Sequence, residues 1–145
     1  MQNYQGGKVA DQYLLQRLEG ASPEQLHAML LEAGQKFLGL AIVAMNNRDN
    51  AAKSRHFSRV SAIIVELKGR LNHEEGGELV LNLTRIYQWW IDVLFESSLK
   101  NEPERLQLIA NQMAEMRATW EEVHSKKTSA AQSVNTRASL DGMVG

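Results

Sequence analysis

Apolar residues recur along most of this chain at alternating steps of three and four, the spacing that lines one face of an α-helix. Four segments carry the pattern. The first stripe is Leu26, Leu30, Ala33, Phe37, Leu40 and Ala44; the second is Phe57, Val60, Ile64, Leu67 and Leu71. The third is Leu79, Leu83, Ile86, Trp90 and Val93, and the fourth is Leu106, Ile109, Met113, Met116, Trp120 and Val123. Each predicts a helix roughly 30–40 Å long at about 1.5 Å per residue, with its stripe facing a shared core. Polar turns at residues 46–50, 72–77 and 100–103 separate them. Connections this short make successive helices antiparallel neighbours. The expected fold is all-α, an antiparallel up-and-down four-helix bundle over residues 22–127.

Punctuation supports these boundaries. Both prolines fall at helix starts. Ser22-Pro23-Glu24-Gln25 reads as a capping box, with Ser22 as N-cap, Pro at the first helical position and Gln25 at the third. Asn101-Glu102-Pro103-Glu104 repeats the arrangement, with Asn101 as the expected cap. A shorter segment from Val9 to Leu18, with Val9, Tyr13, Leu14 and Leu18 as its apolar set, predicts a short helix packed on the bundle. Residues 1–21 form this N-terminal cap segment, in one domain with the bundle. From Thr128 the apolar period stops, and residues 128–145, rich in Ser, Ala, Thr and Gly, read as a disordered tail. There is no internal repeat.

Two segments carry more apolar surface than one core stripe needs. The first adds Leu31, Leu38, Ile42 and Met45, one residue round from its stripe. The third adds Val80, Tyr87, Ile91 and Leu94, and further round Trp89, Phe95 and Leu99. The excess has two readings: a deeply buried helix partly covered by the N-terminal segment, or a groove for a partner's amphipathic helix. Trp89 and Trp90 sit about 100° apart on a helix and cannot both face one core. The spacing assigns Trp90 to the core and Trp89 to a boundary or a binding face.

Composition narrows the function. A formal net charge of -1, from 16 basic and 17 acidic residues, argues against nucleic acid as the main partner. The absence of cysteine removes disulfides, thiolate chemistry and Cys-ligated zinc, and suits a reducing cytoplasm. The polar, Gly-rich start from Met1 to Lys8 lacks the apolar core of a secretory signal. No apolar run approaches the roughly 18–20 residues of a membrane span, so no membrane insertion is expected.

Catalytic and metal motifs mostly fail. Two E-x-x-H pairs occur, Glu24 with His27 and Glu121 with His124, the spacing that supplies ligands in ferritin-like di-metal bundles. Such a site also needs a core-facing Glu from each of two other helices. The nearest candidates, Glu66 and Glu96, lie off the core stripes, and both pairs lie at helix ends. Lys68-Gly69 matches the end of a histidine phosphotransfer signature, but Val65 stands where the phosphorylated histidine belongs, and His73 lies in a turn. There is no phosphate-binding loop, no H-E-x-x-H and no supported Ser-His-Asp set. Asn82-Leu83-Thr84 is a glycosylation sequon inside a predicted helix, and Arg117 near Trp120 reads as a surface arginine at helical spacing.

Several landmarks recur together in one family. Tyr13, followed after a gap by Ala21-Ser22-Pro23-x-x-Leu26-x-x-Met29-Leu30, resembles the opening of the flagellar secretion chaperones of the FliS type. So do Leu71-x-x-Glu74-x-Gly76-Gly77-Glu78-x-x-x-Asn82-Leu83 and Ile86-Tyr87-Gln88-Trp89. Leu99-Lys100-Asn101-Glu102 and Arg117-Ala118-Thr119-Trp120 match later landmarks in order and spacing, so the resemblance runs from about Tyr13 to Val123. The chain departs from the pattern at Leu31-Glu32-Ala33, where an aromatic and an acid-Gly pair are common. It departs again at Tyr87-Gln88-Trp89, where Tyr-Asp-Tyr is common.

The resemblance implies a cytoplasmic, non-catalytic chaperone without cofactor or metal. Its client would be the C-terminal segment of flagellin, which it would keep from polymerising early and bring to a component of the flagellar type III export gate. A homodimer stays open. The segment around Tyr13 would cover or border the groove. The candidate client-binding set is Tyr13, Leu31, Leu38, Ile42, Met45, Tyr87, Trp89, Ile91 and Leu94. On this reading Tyr87→Ala harms client binding more than stability, and Trp90→Ala costs the fold about 3–5 kcal/mol. A ferritin-like metal enzyme on Glu24, His27, Glu121 and His124, or a helical adaptor with another client, are the alternatives.

Overall fold

The structure, a computed structural model, describes residue 16 and residues 19–144, with side chains as far as residue 131. Its elements are α1 (Pro23–Asn46), α2 (Asn50–Gly69), α3 (Gly77–Lys100) and α4 (Pro103–Val144). No strand occurs among the described residues, so the fold is all-α as expected. The predicted N-terminal helix from Val9 to Leu18, Tyr13 included, lies outside the described residues except at residue 16, which is helical.

Local chemistry sets the ends. The capping box forms: Ser22 Oγ accepts from Gln25 N at 3.1 Å and Gln25 Oε1 accepts from Ser22 N at 3.1 Å. α1 closes in a Schellman motif, with Arg48 N donating to Met45 O and Asp49 N to Ala44 O around Arg48, a non-glycine residue at φ 57°. Asp49 then caps α2 by accepting from Ala52 N at 3.1 Å. Asn101 plays a different part from the one its motif predicts. It ends α3 in the left-handed conformation, and Lys53 Nζ donates to its Oδ1 at 3.1 Å. The same residue type serves both ends of helices, so Asn before Glu-Pro is ambiguous in sequence. Gly76 caps α3 because nothing larger fits: a Cβ there would sit 1.7 Å from Val80 Cγ2.

The described residues fall into two compact units, His27–Thr119, and the residues before His27 with those from Trp120 onward. In the first, successive helices run antiparallel. Phe37 stacks on His56 and lies under Arg59, Lys53 and Lys68 reach across to Ser98 and Gln88, and Trp90 meets Gln112. At Gly34, α1 packs beside Ile63 and Met113, each 3.4 Å from where a Cβ would stand. The core is Leu31, Leu38 and Ala41 from α1, Val60, Ile64 and Leu67 from α2, Tyr87, Trp90 and Leu94 from α3, and Leu106, Ile109 and Met113 from α4. In the second unit, His124 Nδ1 lies 3.0 Å from Ser22 Oγ and Lys127 pairs with Glu24, which holds the Glu24 carboxyl below its ordinary pKa.

Two expectations change. The core stripe of α1 is one residue round from the predicted one: His27, Leu31, Gly34, Leu38, Ala41 and Met45 are buried, whereas Leu40 is exposed. The true stripe contains a histidine and a glycine, so it looks less apolar than its neighbour, yet small residues are what close helix packing needs. α1 is also long and apolar enough by length and composition to cross a membrane. Its inner face supplies core side chains and its outer face carries Glu32 and Lys36 to solvent. The α4 backbone is helical to Val144. No proline follows Pro103 and no glycine comes before Gly142, so nothing in that stretch breaks a helix once the apolar period fades.

Candidate functional site

The candidate client-binding residues divide by burial. Leu31, Leu38, Met45, Tyr87 and Leu94 are buried in the core, Ile42 and Ile91 are half-buried, and Trp89 is 44% exposed. Five of the eight described residues are thus buried in the free chain. The physical reason is the phase error on α1 and, on α3, an inner face centred on Val80, Tyr87, Trp90 and Leu94. Trp89 and Trp90 separate as their 100° offset requires, with Trp90 fully buried.

Tyr87 is tied into the core by chemistry as well as by packing. Its hydroxyl lies 3.0 Å from His27 Nε2, and its ring packs 5.3 Å from that of Trp90. His27 is only 4% exposed. Burial, aided by the positive charge of Arg70, pushes its pKa down to about 4, so the imidazole is neutral at cellular pH. Trp90 continues the chain outward by donating its indole N–H to Gln112 Oε1 at 2.8 Å.

Gln112 opens onto an apolar cleft of about 420 Å³ between α3 and α4. Leu83, Ile86, Trp89 and Trp90 form one wall, and Gln112, Glu115, Met116 and Thr119 the other. Sequence periodicity assigned Leu83, Ile86 and Met116 to the core and gave Gln112 no role. The signal that a second surface exists was present: α3 carries apolar residues over more of its circumference than one core can cover. A smaller depression of about 200 Å³ lies between α2 and α3, against Phe57, Ile91, Leu94 and Phe95, beside three serines. Phe95 and Leu99 stand 70% and 71% exposed.

The ligands of the alternative metal site are otherwise engaged. Glu24 pairs with Lys127, His124 lies against Ser22, and His27 bonds Tyr87. Among the described residues no three His, Asp or Glu side chains gather as a metal site.

The family model "Flagellar protein FliS" matches residues 6–127, spanning every residue of the cleft. The flagellar secretion chaperone FliS of Campylobacter jejuni is 33% identical over 107 residues, covering 74% of this chain and 84% of the relative. This chain belongs to the FliS family of flagellar secretion chaperones. The Salmonella typhimurium and Bacillus subtilis FliS chaperones are 29% and 28% identical over 107 and 102 residues. They match 73% and 70% of this chain, and 79% and 75% of their own lengths. FliS proteins are chaperones and not enzymes.

Proposed function

We propose that this FliS-family chain is a cytoplasmic export chaperone for flagellin. It binds the C-terminal segment of newly made flagellin, keeps it from polymerising before export and delivers it to the flagellar type III export apparatus. The observation that carries this reading is the apolar cleft between α3 and α4, with Trp89 exposed at its edge, in a chain whose relatives are named flagellar secretion chaperones. A solvent-facing wall of Leu83, Ile86 and Trp89 costs solubility unless something covers it, and an amphipathic helix is the element that fits such a groove.

A client disordered when free folds as it binds, and ordering it uses about 2–5 kcal/mol of the gross interaction. That keeps the complex releasable at the export gate. Trp89 is the anchor on this reading, with Leu83, Ile86 and Met116 around it. Ile42 and Ile91, half-buried on other faces, are secondary contacts.

Isothermal titration with a peptide of about 40 residues from the C-terminus of the same cell's flagellin tests the reading. Saturable binding with a negative heat-capacity change is expected. Trp89→Ala should weaken it by about 2 kcal/mol, roughly thirtyfold, as truncation of an aromatic anchor does. No binding at high micromolar peptide, by a protein that melts cooperatively, would refute the flagellin assignment.

A further inference from the structure

We propose that Gln112 determines which client helices the cleft accepts, by donating from its side-chain amide to a neutral carboxamide, that of an Asn or Gln, set in the apolar face of the client. The inference rests on the chaperone reading and adds the chemistry by which the cleft discriminates.

The orientation of the Gln112 amide follows from its partner. An indole N–H donates and never accepts, so the atom 2.8 Å from Trp90 Nε1 is the amide oxygen. Trp90 is fully buried and held by Tyr87 at 5.3 Å, so this anchor does not swing. The amide NH2, the other polar group of this carboxamide, is the donor that Gln112 brings to the lining of the cleft.

Neither Thr119 nor Glu115 can do the same work. Thr119 donates its hydroxyl hydrogen to the Glu115 carbonyl within α4, at 3.1 Å. Glu115 is a carboxylate and only accepts. Gln112 is therefore the carboxamide donor of this cleft, beside the indole N–H of Trp89 on the opposite wall, and Glu115 is an acceptor one helical turn away.

Filling the cleft strips water from both groups, and an amide left unpaired under an apolar ligand costs affinity. A client helix spends its backbone carbonyls on its own hydrogen bonds except in its last turn. The acceptor must then come from a side chain. An acidic side chain would be repelled by Glu115. A carboxamide answers both groups, its oxygen accepting from Gln112 and its NH2 donating toward Glu115.

Two substitutions separate this role from packing. Gln112→Glu keeps an oxygen for the Trp90 indole and deletes the donor. Gln112→Met keeps the length and makes the cleft more apolar. Folding is followed by urea melts, and the Trp90 indole contact by its N–H proton resonance. In titrations with the flagellin C-terminal peptide, Gln112→Glu should bind at least tenfold more weakly. Gln112→Met should bind at least fivefold more weakly, although an apolar-only cleft would bind as well or better. Single Asn→Leu and Gln→Leu changes in the peptide should include one that weakens binding to the wild-type protein at least fivefold and leaves Gln112→Met unaffected, the mark of a direct pair. Wild-type-like affinity of both variants, or no peptide position that couples to Gln112, overturns the proposal and leaves the chaperone reading intact. Failure of the wild-type protein to bind the peptide overturns both.

Discussion

At the scale of the residue, a buried polar chain, His27 to Tyr87 to Trp90 to Gln112, ties α1, α3 and α4 together. It makes the fold sensitive to acid. The pKa of His27 falls from about 6.5 unfolded to about 4 folded, so the folded state disfavours the imidazolium. Its contribution is complete above pH 6.5 and is lost as pH falls from there toward 4, on the order of 2 kcal/mol once solvent screening is allowed for. Urea melts at pH 7 and pH 4.5 should show this loss in the wild-type protein and a smaller one in His27→Gln, which cannot titrate; equal losses would place the acid sensitivity elsewhere. Tyr87→Ala should cost about 3–5 kcal/mol, comparable to Trp90→Ala, because each empties a fully buried aromatic site. For Tyr87 this adds a stability cost beyond the client role drawn from sequence. Periodicity found Trp90 but could not see that a histidine would enter the core, since nothing in one sequence announces a tyrosine hydroxyl opposite it.

At the scale of the element, the four helices and their three turns were legible because loops this polar and stripes this regular leave little choice. Every residue of the second predicted stripe is buried, Phe57, Val60, Ile64 and Leu67 on α2 and Leu71 just beyond its end. That helix has one apolar face and so one possible phase. α1 has two apolar stripes side by side, and hydrophobicity alone favoured the one lacking His27 and Gly34. The helix ends carry their own energetics. Arg48 holds a left-handed conformation between α1 and α2 that favours glycine. Arg48→Gly should raise stability by up to about 1 kcal/mol, the relief of strain exceeding the entropy that glycine adds to the unfolded chain. Asp49→Ala removes the side-chain oxygen that caps α2 and should cost about 1 kcal/mol. Thermal or urea melts of the two variants should therefore shift in opposite directions, although the residues are adjacent.

At the scale of the whole molecule, the family was readable from ordered landmarks, whereas the proposed binding surface was not readable from periodicity. A stripe at steps of three and four says that a face is apolar; it does not say what covers it. Leu83 and Ile86 continue the spacing of Trp90 and Val93, yet at their end of α3 the facing wall stands back and leaves a cleft. Ile86 is 38% exposed where Trp90 is fully buried. The two therefore separate folding from binding. Ile86→Ser should change the unfolding free energy by less than about 1.5 kcal/mol, because less apolar surface is buried there in the free chaperone. The same substitution should weaken the flagellin peptide at least fivefold, because the client buries what the fold leaves open. If Ile86→Ser instead destabilised the protein as much as Trp90→Ala does, the cleft would be closed in solution and the stripe would be core along its whole length. A stable, binding-deficient Ile86→Ser would show that the chain spends its extra apolar face on a client and not on itself.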